Sequence, residues 1–361
     1  MQPVPTLREL VARLFLGGLP GPTLDPETRR LYAEIPFAGV TLFRANAARP
    51  AAMRALARDL HALDRAAPPL VAIDHEGGRV HRLAPPFTHF PAAAIVAAAG
   101  TPAVRAVATA MGRELAAIDV DLTFAPVLDV ASNPANPIIG DRAYGTTPDA
   151  AAKHALTTFR ALRATGLLTC GKHFPGHGDT ASDSHLELPV VPRARRSLAT
   201  TELPSFQRAV AARVPMLMTA HVHYPALDPK LPATLSPTIL TRLLRGRFGF
   251  RGVIASDDLE MRAIADQWGP GEAAVKALAA GCDLLLFCHR QDWLRTAVEA
   301  VERAVSSGQL AEARVTEAYR RVTRLMQWRR RHRRTERSSV IGCGAHRRLD
   351  AAVRRAVAPN G

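Results

Sequence analysis

The 361-residue sequence has only four cysteines, Cys170, Cys282, Cys288 and Cys343, and no Cys-x-x-Cys pair. Three of them lie in or beside apolar segments, which suits reduced core thiols and speaks against a disulfide framework or a cysteine-based zinc site. Long hydrophobic runs are also missing. No stretch approaches the roughly 18 to 20 apolar residues of a membrane-spanning helix. The N-terminal VARLFLGGLPGP is broken by Arg13 and followed by no small-residue cleavage site, so a signal peptide is not expected. No low-complexity linker and no internal repeat divide the first 328 residues. These absences lead to the expectation of a cytoplasmic chain with one domain over residues 1–328.

Acidic residues are in deficit, and the net charge of +15 raises a nucleic-acid or membrane reading. Its distribution weakens both. Residues 329–361 hold ten arginines against two acids, Glu336 and Asp350, so about half the excess lies in this segment. Its core, RRRHRRTERSS at 329–339, has no interleaved aromatic side chains for base stacking and matches no DNA-binding motif. The composition predicts a solvated, partly disordered basic tail, with no specific nucleic-acid partner and no membrane partner.

What is present is a core-forming composition, 47% hydrophobic, arranged in eight short apolar runs. They lie at 11–18, 39–43, 69–74, 121–130, 166–174, 214–223, 252–258 and 282–288, separated by longer segments with helical periodicity. A final helix is expected over 291–328. Nearly continuous apolar strands alternating with helices indicate a parallel sheet covered on both faces, and eight units predict a (β/α)8 TIM-type barrel. An open doubly wound sheet is the alternative.

Polar residues cluster where these runs end. Asp74, Asp129, Lys172 with His173, His221 with His223, Asp257 with Asp258, and His289 close six runs. In a barrel such ends share one rim, where active sites are built. The fifth run leads into GKHFPGHGDTASDSH, residues 171–185, with three histidines, two acids, a lysine and three glycines. Gly176 and Gly178 allow unusual backbone angles and Pro175 stiffens the exit from the strand, which suggests a hinged lid. Asp183 and His185, two residues apart, fall on one face of an extended backbone, where a carboxylate can orient an imidazole. Asp258 is expected to face away from Asp257 for the same reason. His177 either joins the site or stabilises the loop.

KHFPGHGDTASDSH, ASDDLEM at 255–261, IDHEGGRVHRL at 73–83 and NPIIGDRAYG at 136–145 together resemble family 3 glycoside hydrolases. More narrowly, they are similar to the single-domain bacterial β-N-acetylglucosaminidases of peptidoglycan recycling, in consistent order from about residue 10 to 328. The resemblance implies removal of terminal β-linked N-acetylglucosamine from anhydro-muropeptides (GlcNAc-anhydroMurNAc and its peptides) by a cytoplasmic monomer, with no metal or cofactor. It implies Asp257 as nucleophile, Asp183 and His185 as the acid/base dyad, and Asp74, Arg82, Arg142, Lys172 and His173 as sugar-binding residues. His75 departs from the family pattern, where Gln is more usual, and the arginine-rich tail has no counterpart.

The residues agree with this chemistry. A retaining glycosidase needs a fixed carboxylate to attack the anomeric carbon and a proton donor for the leaving oxygen. An imidazole titrates near about pH 6.5, so it can give and retake a proton without the burial a carboxylic acid would need. Alternatives are a family 3 phosphorylase, a β-glucosidase, a metal-dependent hydrolase using His221, His223, His173 and Asp257, and a sugar-binding protein without turnover.

Overall fold

A computed structural model describes residues 5–358. In chain order its strands are β1 (Phe15–Gly18), β2 (Gly39–Leu42), β3 (Leu70–Ile73), β4 (His75–Gly77), β5 (Val80–His81), β6 (Leu122–Thr123), β7 (Leu168–Thr169), β8 (Gly171–Phe174), β9 (Met216–Thr219), β10 (Val253–Asp258) and β11 (Leu284–Leu286). Each of the eight apolar runs contributes to the main sheet, whose order is β7-β6-β3-β2-β1-β11-β10-β9-β8 with every pairing parallel. The fifth run supplies both end strands. It is interrupted at Cys170, with β7 on β6 and β8 on β9, so one stretch of chain joins the two ends of the sheet and nearly closes the barrel. The protein is an α/β barrel ringed by helices, as the alternation of runs predicts.

Local sequence explains the ring. Helix Pro148–Ala164 begins with Thr147 accepting from the Ala150 N–H and with proline at its first position, then buries Ala151, Ala155, Phe159 and Leu162. Helix Pro26–Glu34 starts the same way on Asp25. Strand-to-strand approach is close enough to require glycine. A Cβ on Gly39 would lie 2.2 Å from the Leu70 carbonyl oxygen.

Two expectations differ from the structure. The final helix is two helices, Gln291–Ser306 and Glu312–His332, because the first stops where Gly308 adopts φ +78°. The described part of the 329–361 segment is folded against the barrel rather than solvated. Arg329 is 3% exposed and 2.9 Å from Asp121, Arg333 pairs with Asp119, Arg113 with Glu336, and Val340 and Ile341 join the core. Helix Gly344–Val357 then brings His346 within 2.7 Å of the buried Glu114. The arginines are paired with acids of the barrel wall, a relation that composition alone does not reveal. All four cysteines are free thiols, three of them buried.

Candidate active site

The C-terminal strand ends surround a cavity of about 290 Å³. Asp257 and Asp258 enter it from β10, Asp74 from the end of β3, Arg82 from just after β5, His289 from beyond β11 and His185 from the loop after β8. Residues separated by up to 215 positions thus meet around one space.

Asp257 is held by its neighbours. Its Oδ1 accepts from the Asp258 N–H at 2.8 Å. Burial pushes the carboxyl up, but His221, His173, that backbone N–H and Lys172 outweigh it and leave the group below the usual carboxylate range. It is therefore a ready carboxylate at neutral pH. Asp258 does not turn away as strict alternation predicts. The pairing of β10 with β11 shifts register between Ala255 and Asp258, and this irregularity turns both acids toward the cavity. Burial, with Glu260 nearby, pushes the Asp258 carboxyl up to about 8. Its Oδ1 accepts from the Glu260 N–H at 3.1 Å, which also makes it a brace for the turn leaving the strand.

Behind the cavity lies a buried ionic cluster. Lys172 Nζ is 2.6 Å from both Asp74 and Glu76, and Glu76 takes a bidentate pair of bonds from Arg142 at 2.9 Å. Arg82 is 4.0 Å from Asp74 on the exposed side. Arg142 therefore reaches the site through Glu76 and Lys172 rather than by lining the cavity. Glu76 is absent from the residues the resemblance singles out. Its signal was an acid in the tight D-H-E-G-G turn of β4 and β5, where Gly77 and Gly78 take φ +91° and +53°. His75 is buried against His81, ring centroids 4.4 Å apart and planes tilted by 46°.

Asp129 organises the strand-to-loop junction. It accepts from the His173 N–H, from His173 Nδ1 at 2.6 Å and from the His177 N–H at 2.8 Å. The bond from Nδ1 to Asp129 thereby fixes the orientation of the His173 ring. His177 lies 2.9 Å from Thr180 Oγ1 and 3.1 Å from Ser184 Oγ, and burial lowers its pKa to about 4, so it is a neutral strut of the loop.

The base of this loop is anchored rather than free to hinge. A Cβ on Gly178 would fall 1.6 Å from the Val130 carbonyl oxygen, and Gly176 packs on Glu202 while its carbonyl accepts from Tyr224 Oη. Between Pro175 and Glu187 the exposed side chains are Ala181 and residues 185–187 at the tip, while Ser184 is buried. There the Asp183–His185 pair forms in a turn, not in extended backbone. Asp183 Oδ1 accepts from both the His185 N–H and His185 Nδ1 at 2.8 Å, and the imidazole remains 65% exposed. Burial pushes the Asp183 carboxyl up, but these bonds outweigh it and hold it below its ordinary range.

His221 and His223 do not converge on a common ion. The two nitrogens of His221 face Thr234 Oγ1 and the Asp258 carbonyl, whereas His223 faces the Asp228 carbonyl. Among the described residues no group of three or more His, Cys, Asp or Glu is arranged to hold a metal.

A parallel barrel with carboxylates, an ammonium and imidazoles gathered at its C-terminal rim has the arrangement of a barrel enzyme. The sequence matches the N-terminal domain of glycosyl hydrolase family 3 over residues 6–325. A beta-hexosaminidase of Alkalilimnicola ehrlichii is 41% identical over 88% of this chain and 94% of its own length. A family 3 beta-N-acetylglucosaminidase from Paenibacillus sp. has the same fold with a TM-score of 0.93 and 38% identity, over 98% of this chain and 69% of that one. NagZ from Neisseria gonorrhoeae, solved with N-trifluoroacetyl-D-glucosamine, aligns with a TM-score of 0.76 and 29% identity over 96% and 98% of the two chains. The chain belongs to glycosyl hydrolase family 3, and it is a glycoside hydrolase.

Proposed function

We propose that the protein is a retaining exo-β-N-acetylglucosaminidase acting on peptidoglycan fragments that end in β-linked N-acetylglucosamine. The observation that carries this reading is the meeting of Asp257 and His185 on one small cavity, with His185 oriented by Asp183. In the first step the Asp257 carboxylate attacks the anomeric carbon. As the glycosidic bond breaks, His185 Nε2 passes its proton to the leaving oxygen, and the resulting imidazole stays bonded to Asp183. In the second step His185 takes a proton from water, the hydroxide oxygen bonds the anomeric carbon, and Asp257 is released. Two inversions retain the β configuration. Asp74, Arg82, Lys172 and His173 position the sugar, and Arg142 sets the charge of Lys172 through Glu76. The N-acylglucosamine bound to NagZ supports N-acetylglucosamine as the sugar. The reading includes a cytoplasmic location and a monomeric state. No helix of the described residues is long and apolar enough to cross a membrane.

Product analysis by NMR, with an aryl N-acetylglucosaminide and a peptidoglycan disaccharide as substrates, tests this. Free β-N-acetylglucosamine is expected first, with and without inorganic phosphate. A sugar phosphate would replace hydrolysis by phosphorolysis, and the α anomer as first product would remove Asp257 as nucleophile.

A further inference from the structure

The opposite end of the barrel holds a second cavity, of about 460 Å³, bordered by Leu70 at the start of β3 and by Asp121 just before β6. It is therefore remote from the C-terminal rim. Arg13, Arg329, Arg330 and Arg333 all line it, together with His61. These arginines come from two distant parts of the chain, the end of the first helix and the end of helix Glu312–His332 with the residue after it.

Available acids do not use up this donor capacity. Arg13 pairs with Asp64 and Arg333 with Asp119. Asp121 serves two partners at once, His61 at 2.6 Å and Arg329 at 2.9 Å, besides accepting from the Val71 N–H. Arg329 is 3% exposed, and its Nη1 has no hydrogen-bond partner among the described residues but, like the unpartnered His61 Nδ1, is sealed off by its surroundings, so Arg329 offers the cavity its charge rather than a hydrogen bond. Arg330 donates to the Ala66 carbonyl and meets no carboxylate among the described residues. A buried guanidinium with unmade hydrogen bonds costs stability, and an anion in the adjoining cavity offsets part of its charge. Burial pulls the Arg329 pKa down although Asp121 opposes it, which is the behaviour of an under-compensated charge. A planar carboxylate accepts well from one fork, whereas a tetrahedral oxyanion can accept from guanidinium groups on several sides. Tyr319, Pro68 and Met326 line the same space, which is larger than a bare oxyanion and in the range of small-molecule sites of about 300–1,000 Å³.

We infer that this cavity binds a phosphate-bearing small molecule, its phosphate taken by Arg330 and Arg333 with the Arg329 charge behind them, and its body resting on Tyr319 and Met326. Such binding stabilises the folded chain in proportion to ligand concentration and leaves the chemistry at the far rim untouched.

The test uses the full-length protein, with thermal unfolding and calorimetric titration in inorganic phosphate and in adenosine monophosphate against chloride of equal ionic strength. Both phosphates are expected to raise Tm and to bind saturably. Tighter binding of the nucleotide supports a body resting on Tyr319 and Met326, and equal binding of inorganic phosphate overturns that assignment. Arg330→Glu, an exposed position, should weaken binding by about tenfold or more while kcat/KM on an aryl N-acetylglucosaminide stays unchanged. Asp257→Ala should bind phosphate as the wild type does. The proposal is overturned if phosphate acts no differently from chloride, if Arg330→Glu binds equally well, or if Asp257→Ala abolishes binding, since the last would locate the anion in the hydrolytic site.

Discussion

Glu76 shows how a single buried charge organises one side of the rim. Its carboxylate is the common partner of Arg142 and Lys172, and Lys172 in turn holds Asp74. Burial pushes the Glu76 carboxyl up, but the two cations outweigh it and carry it far below the ordinary range. A carboxyl with a lowered folded pKa adds stability above its unfolded pKa, near about 4.3, and that stability is lost as pH falls toward the folded value. Glu76→Gln removes one partner from a buried pair and leaves two cations facing each other, so it should cost about 3–5 kcal/mol at neutral pH. Urea unfolding at pH 7 measures this, and the acid-induced fall in stability below about pH 4 should be shallower in the variant. A cost below about 1 kcal/mol would mean that the cluster is not a unit. That Asp74, Asp257 and His289 lie on the rim was legible from the sequence because each closes or follows an apolar run. That Glu76 bridges Lys172 and Arg142, and that a register shift brings Asp258 round beside Asp257, was not, since both depend on pairings far along the chain.

At the scale of elements, the loop after β8 combines an anchored base with an exposed tip. Its motif was the clearest signal in the sequence, and the Asp183–His185 pair is present as a contact. The mechanical reading needed correction because the glycines that suggested a hinge are close-contact positions against Val130 and Glu202. Glu202 is nearly buried, bonded at Oε1 by the Ser132 hydroxyl, with Oε2 unpartnered among the described residues. Burial, against the Ser132 bond and with Asp129 nearby, pushes its carboxyl up to about 8, so it is neutral under the loop at pH 7. A raised folded pKa means that the stabilisation is complete below the unfolded pKa and is lost as pH rises through about 8. Glu202→Gln should therefore match the wild type in Tm near pH 4, pull ahead of it as pH rises toward about 8, and keep the full excess at pH 9. The same Tm difference at both pH values would show that the carboxyl does not titrate there.

Over the whole molecule, the order of apolar runs was enough to read the barrel and its rim, because strands buried on both faces leave an unbroken apolar signature. The packing of residues 329–357 was hidden behind arginine content, since Asp119, Asp121 and Glu114, the partners of Arg333, Arg329 and His346, lie more than 200 positions away. His346→Ala, which leaves the buried Glu114 short of one donor, should lower stability by about 1–3 kcal/mol while kcat/KM changes little. Denaturant unfolding with parallel assays separates the two effects, and an unchanged midpoint would contradict the packed tail. Across the barrel, the convergence of Asp257 and His185 on one glycosidic bond is tested most directly by kcat/KM of His185→Ala on two leaving groups, with Asp257→Ala as reference. Asp257→Ala should be nearly inactive on both. A nitrophenolate departs without a proton and a sugar alkoxide does not, and general acid catalysis contributes roughly 10² to 10⁴-fold. His185→Ala should thus lose far more on a peptidoglycan disaccharide than on nitrophenyl N-acetylglucosaminide. Equal losses on the two substrates would contradict proton donation by His185.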